Sequence, residues 1–256
     1  MQRLGKNLNG YLGDTLDINS VLSDCSAAAA QQSFASEQIP VTGKPALIAF
    51  TRRSNSPSCK SIYISAGIHG DEPAGPLAVE QLLQEDLWPE HLSISILPCL
   101  NPTGFPRNSR ENVDGIDLNR EFLNPKAEEI RAHIRWLESR PSFDLCLSLH
   151  EDWESHGFYL YELNPESRPS LAERMIEKVS LICPIDPSPI IEGREANQGI
   201  IRPALDPRTR PLWPESFYLL TYKTRLAYTL EAPSDFPLGG RVAALVTAVR
   251  TAMEAL

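Results

Sequence analysis

Two short stretches of this chain carry residue types that could bind a metal ion. His69-Gly70-Asp71-Glu72 sets an imidazole and a carboxylate three residues apart, between an apolar run, Ile62 to Ile68, and a helical pattern opened by Pro73. A strand-to-helix turn of this kind can aim both groups at one ion. His150 follows a second apolar run, Phe143 to Leu149, on a different element. Two histidines and one carboxylate, with a position left open for water, form a known ligand set for hydrolytic zinc, although either histidine alone would read more simply as a turn or core residue. Glu231 ends the run Ala227-Tyr228-Thr229-Leu230. A carboxylate at the mouth of a buried strand suits a general base acting on water at the metal; a strand-end hydrogen bond or salt bridge is the plainer alternative. Asp117-Leu118-Asn119-Arg120 offers a neighbouring amide and guanidinium, suited to holding a carboxylate. Arg107 and Arg110 lie upstream, and a guanidinium near the metal could stabilise an oxyanion. His91 and His156 fall in polar loops, and His133 falls on the buried side of a helix with no carboxylate at ligand spacing.

The elements that must position these groups follow from periodicity. Ile18, Val21, Leu22, Cys25, Ala28 and Ala29 describe a lead-in helix with Asp14 as its N-cap, within a helix-and-loop segment 1–40. Pro45 to Thr51 and Lys60 to Ala66 read as a hairpin or adjacent strands joined by a turn-rich stretch. A helix after Pro73 and a strand from Ser93 to Cys99 come next. Residues 101–122 lack periodicity and read as a long loop, of the kind that is usually functional. A helix bearing Ile130, Ile134 and Leu137 leads to the strand before His150, with another strand over Gly157 to Leu163 and a helix over Leu171 to Ile182. Seven prolines between Pro184 and Pro214 argue against regular elements and for a rigid lid or wall. A strand to Glu231 and a helix bearing Val242, Leu245, Val246, Val249 and Met253 close the chain. Strands alternating with helices indicate an α/β sandwich, and the hairpin-like early strands make its central sheet mixed.

Composition narrows the function classes. At 256 residues, one domain spanning 1–256 is expected. A net charge of −9 with no basic run argues against nucleic acid or an anionic membrane as partner. Five scattered cysteines without CxxC spacing read as reduced thiols, mostly core, which favours the cytoplasm. The first residues show no apolar signal region and no stretch is long and apolar enough to span a bilayer.

Taken in order, His69-Gly70-Asp71-Glu72, Asn101-Pro102-Thr103-Gly104, Arg110, Gly115 to Phe122, Leu149-His150-Glu151 and Thr229-Leu230-Glu231 resemble the zinc carboxypeptidase family, the funnelin-type metallocarboxypeptidases. The short chain is most similar to compact bacterial members, among them murein tripeptide amidases. The resemblance implies a single-domain three-layer α/β/α sandwich and one zinc ion on His69, Glu72 and His150, with Glu231 as catalytic base. It also implies carbonyl polarisation by Arg110, substrate-carboxylate binding by Asn119 and Arg120, and a hydrogen bond between the His69 imidazole and Asp117, which accepts it. The lid tyrosine of digestive carboxypeptidases has two candidates, Tyr218 and Tyr222.

The expected activity is hydrolysis of an amide or peptide bond next to a free carboxylate, on a peptide, muropeptide or N-acyl amino acid. Glu231 would take a proton from water at the zinc and deliver it to the leaving amine. The related aspartoacylase and succinylglutamate desuccinylase group is the enzymatic alternative; its members usually continue into a β-rich C-terminal region, whereas one loop and one helix follow Glu231 here. A non-catalytic carboxylate- or peptide-binding module is the alternative of another class, but it would need no general base. A two-metal centre would require Asp71, Glu151 or Asp152 to join, and side chains adjacent to His69 and His150 along extended backbone tend to point away.

Overall fold

The computed structural model describes residues 1–5, 14–203 and 209–256. The strands are β1 (Ala35–Ile39), β2 (Leu47–Arg52), β3 (Lys60–Ala66), β4 (Leu92–Leu97), β5 (Leu145–Asp152), β6 (Tyr159–Leu163), β7 (Ile190–Ile191), β8 (Arg194–Asn197), β9 (Ile200–Ile201) and β10 (Ala227–Pro233). They join in one sheet in the order β1-β2-β4-β3-β5-β10-β6-β9-β8-β7. Its centre, β4-β3-β5-β10, is parallel, while β1 and β2 on one side and β6 on the other run antiparallel to their inner neighbours.

Alternation along the central strands divides the core. Ile62, Ile64, Leu145, Leu147, Leu149 and Leu230 face one layer, where α1 (Ile18–Gln31), α2 (Ala74–Glu85), α4 (Ala172–Ser180) and α6 (Leu238–Ala255) pack. Tyr63, Cys146 and Ala227 face the other, against α3 (Glu128–Glu138) and α5 (Glu215–Tyr222). This is the mixed three-layer α/β/α arrangement expected from the sequence. Because β3, β5 and β10 are parallel neighbours, their carboxyl ends open on the same rim, where α/β sheets gather ligands.

Several sequence expectations need correction. The N-cap of α1 is Asp17, which accepts from the Asn19 and Ser20 amides, rather than Asp14. The segment 1–40 ends not in a loop but in the edge strand β1, whose exposed polar residues hid its character. β2 and β3 are not paired, since β4 inserts between them. His150 lies inside β5 rather than after it. The Pro-rich 184–214 run does hold regular pieces, the short β7, β8 and β9, too brief to leave a sequence period; residues 204–208 of it lie outside the described part. α5 follows Pro214 and had no sequence signal, because Phe217-Tyr218-Leu219-Leu220 is a continuous apolar run. No helix among the described residues is long and apolar enough to cross a membrane. The five cysteines are free, and all but Cys59 are buried.

Two contacts hold the rim. A Cβ on Gly70 would fall 2.2 Å from the Gly104 carbonyl carbon, so only glycine lets the His69 turn lie directly on the loop that begins at Asn101. Behind the turn, the fully buried Arg241 of α6 pairs with Glu151 and Asp14, and Glu151 also accepts from the Ala74 amide and the Ser234 hydroxyl. That cluster ties α2, β5 and the end of β10 together.

On the opposite layer, His133 is wholly buried, with Nε2 2.8 Å from the Tyr63 hydroxyl. Burial lowers its pKa from 6.5 to about 3. The unfolded chain therefore takes up a proton near 6.5 that the folded chain refuses until about 3, so stability is full above this window and falls as pH drops through it. One such proton gives a slope of about 1.4 kcal/mol per pH unit. Urea unfolding across the window should show His133→Gln losing stability less steeply than the wild type by that amount; parallel pH profiles would contradict the assignment.

Candidate active site and metal centre

The turn after β3 and the interior of β5 bring His69, Glu72 and His150 together. Their candidate ligand atoms all lie within 4.8 Å of one another, and all three side chains are buried. The Glu72 carboxylate sits between the imidazoles, with Oε1 2.5 Å from His69 Nδ1 and Oε2 3.0 Å from His150 Nδ1. The Glu151 amide also donates to Glu72 Oε2 at 3.2 Å. Burial penalises the Glu72 charge, yet the two imidazoles hold its pKa well below the usual carboxylate range. Burial lowers His150, whereas for His69 the carboxylates of Glu72 and Asp117 outweigh burial and raise it.

This geometry fits a bound cation. His69 Nδ1 faces the Glu72 carboxylate and also lies 3.3 Å from Arg110 Nη1, and one tautomer cannot serve as donor to the first and acceptor from the second. Two ring nitrogens and a carboxylate facing inward satisfy the donor chemistry of a three-ligand metal site. The other ring nitrogen of His69, Nε2, is buried without a hydrogen bond and lies 3.4 Å from Asp117 Oδ1. A carboxylate behind a ligating imidazole is the usual means of fixing its tautomer.

Asp117 organises the loop as well. Its Oδ2 accepts from Arg110 Nε at 3.0 Å, and its Oδ1 accepts from the Asn119 amide at 3.0 Å, capping a single 3-10 turn, Leu118–Arg120. Burial opposes its charge, but His69, Arg110 and Arg120 keep its pKa low. Asn112 braces the same loop, accepting from the Asp114 and Ile116 amides and donating to the buried Glu129, which Lys44 also contacts. Asn119 Oδ1 accepts from the Glu215 amide at 2.8 Å.

Glu231 stands opposite His150 in the β5–β10 register and opposite Tyr159 in the β10–β6 register. Burial raises its pKa well above the normal range, and repulsion from Glu72, Asp152 and Glu192 adds to this, with Arg110 opposing. A cavity of about 610 Å³ takes in all of His69, Glu72, His150, Glu231, Arg110, Asn119 and Arg120 in its lining. Glu192, Arg194 and Leu212 from the Pro-rich segment line it too.

Other sequence candidates lie elsewhere. Tyr218 and Tyr222 do not line the cavity; their rings pack at tilted angles on each other and on Phe122 and Trp213 along a separate groove. Arg107 donates to the Val113 carbonyl within the loop. Glu151 is committed to Arg241, which leaves no second metal group among the described residues. Sequence reasoning missed Tyr161, whose hydroxyl donates to Glu192 at 2.6 Å in the cavity wall. Period-two alternation gave a usable signal: Tyr161 pairs with Thr229 and so shares the face of Glu231. It also missed Glu215, for which a lone carboxylate after Pro214 offered no signal.

Known proteins resemble this chain in sequence and in fold. Residues 58–183, just under half the chain, match the model of the succinylglutamate desuccinylase/aspartoacylase catalytic domain. Murein peptide amidase A of Escherichia coli K12 is 32% identical over 90 residues, covering 35% of this chain and 37% of that protein. Carboxypeptidase SOL1 of Arabidopsis thaliana is 33% identical over 94 residues, 27% of this chain and 18% of the relative. The matches thus span well under half the length of either relative. A Shewanella baltica OS155 structure described as a metallopeptidase aligns over 93% of this chain and 92% of its own, with a TM-score of 0.81 and 25% identity. In fold and over the matched segment, the chain resembles the zinc carboxypeptidase-like superfamily, which includes the desuccinylase/aspartoacylase catalytic domain.

Proposed function

We propose that this protein is a zinc-dependent hydrolase that cleaves an amide bond next to a free carboxylate, on a peptide or muropeptide. The observation that carries the reading is the presence of a metal-type triad, a register-adjacent carboxylate and two carboxylate-binding donors on one cavity. His69 and His150 would hold zinc through Nδ1, with Glu72 as the third ligand. Zinc in such a site supplies Lewis acidity, polarising a carbonyl and acidifying water.

The remaining steps belong to the chain itself. Asn119 and Arg120 receive the substrate carboxylate, which sets the scissile carbonyl toward Arg110. The Arg110 guanidinium, oriented by Asp117, meets the developing oxyanion, an interaction worth most in the transition state. Glu231 takes a proton from the attacking water and passes it to the leaving nitrogen as the C–N bond breaks.

A second reading, N-acyl amino acid deacylation, is favoured by one observation, the desuccinylase/aspartoacylase model match over residues 58–183. The two readings share the triad and an amino acid as leaving group, and differ in the acyl part, a small acyl group in one and a peptidyl group in the other. Release from N-acyl-aspartate or N-succinyl-glutamate, measured against C-terminally varied peptides and diaminopimelate-containing muropeptides, separates them.

Glu231→Gln should retain its metal and fold while losing roughly three orders of magnitude in turnover. Near-normal amide hydrolysis by this variant would overturn the base assignment. Converting the substrate's free carboxylate to a carboxamide should lower kcat/KM about 10- to 100-fold in the wild type, the loss of a charge-assisted contact. Arg120→Ala should fall by a similar factor on the free acid and be indifferent to the amide change. Equal rates for acid and amide in the wild type would remove Asn119 and Arg120 from substrate recognition.

A further inference from the structure

Glu215 is 1% exposed and lies at the first position of α5, behind the cavity wall rather than in it. Its carboxylate accepts from three hydroxyls: Tyr63 at 3.0 Å on Oε1, and Ser65 at 2.7 Å and Ser148 at 3.0 Å on Oε2. Ser65 belongs to β3, the strand that leads into the His69 turn, and Ser148 precedes His150 by two residues on β5. The two serines are register partners, and their hydroxyl oxygens lie 3.2 Å apart. The Glu215 side chain therefore bridges the two strands that supply the metal-type ligands.

The backbone of the same residue points the other way. Its N–H donates to Asn119 Oδ1 at 2.8 Å. This occupies the acceptor end of the Asn119 amide and fixes which end is which, so the Nδ2 donors are the ones turned toward an incoming acceptor. Neighbouring contacts reinforce the join: the Phe122 amide donates to the Trp213 carbonyl at 3.2 Å, and Glu121 bridges Trp213 in parallel. Pro214, Ser216 and Phe217 on either side of Glu215 line the cavity directly.

We infer that Glu215 is a positioning residue: by anchoring the start of α5 to β3 and β5, it holds the Asn119 amide in register with the His69–Glu72–His150 group. The inference rests on the proposed role of Asn119 in receiving a substrate carboxylate. A buried carboxylate left without its partners is costly, so a network this complete has a narrow range of geometries. Burial raises the Glu215 carboxyl above its ordinary range, with the three hydroxyls working against that rise. Glutamine at this position keeps the side-chain shape, one acceptor oxygen and the backbone N–H, and the serine hydroxyls can turn to accept from its amino group.

The test compares Glu215→Ala, Glu215→Gln and the Ser65→Ala/Ser148→Ala pair, using a peptide substrate as free acid and as C-terminal amide, with metal content measured on each variant. Glu215→Ala should raise KM for the free acid roughly tenfold or more while kcat stays within about threefold, the pattern of lost ground-state binding. Its preference for acid over amide should shrink while its metal content holds, and Glu215→Gln should restore the preference. The serine pair, which keeps the glutamate in place, should reproduce the alanine phenotype and serves as the test if Glu215→Ala does not fold. Loss of rate on acid and amide alike, or loss of metal, would make Glu215 merely structural and overturn the inference. An unchanged preference in the variants, with Asn119→Ala abolishing it, would overturn the inference alone. A wild type with no preference, or one that Asn119→Ala leaves intact, would overturn both the inference and the role of Asn119.

Discussion

The arrangement at the rim depends on one buried carboxylate, Glu72, held between two imidazoles. Removing a charged carboxylate from water is costly unless opposite charge and hydrogen bonds replace the lost solvation. Here the compensation comes from His69, from His150 and from the Glu151 amide, which reach Glu72 from the turn after β3 and from β5. The group can form only if these strands run parallel and end together, which the β3–β5 register secures through Ser65↔Ser148 and Ala66↔Leu149. A divalent cation at the same point would satisfy all three groups at once.

From that point the structure can be followed outward. Asp117 connects the back of His69 to Arg110 and to the turn bearing Asn119 and Arg120, so the loop's cationic groups are referenced to the same imidazole. Asn112, Glu129 and Lys44 hold the outer part of that loop to α3 and to the β1–β2 connection. Glu151, one residue past His150, carries the constraint to the other layer through Arg241. Each flanking contact is itself buried or half-buried, which keeps a long irregular loop in one conformation.

Much of the site was legible in the sequence because its residues sit where periodicity stops. His69 follows an apolar strand and precedes a helix, His150 and Glu231 occupy the ends of apolar runs, and Asp117 to Arg120 falls in an aperiodic stretch. The mixed α/β sandwich followed from alternation of strand and helix patterns, and its three layers from the family resemblance. What stayed hidden was set by partners distant in sequence. The insertion of β4 between β2 and β3 depends on which edges find each other, and local turn residues between β2 and β3 suggested a hairpin instead. β7, β8 and β9 are two to four residues long, below the length at which a period shows. Glu215 needed Tyr63, Ser65 and Ser148 beside it before it could be told from any surface glutamate.

On the proposed reading, His69, Glu72 and His150 form one metal site that the rim is built to hold. It is tested most directly by metal analysis of the purified chain together with the zinc K-edge absorption spectrum of the loaded protein. One equivalent of metal in a shell of two imidazoles and oxygen ligands is expected, with stoichiometric binding lost in both Glu72→Ala and His150→Ala. A wild-type chain that takes up no metal, or a spectrum unchanged when either residue is replaced, would contradict it.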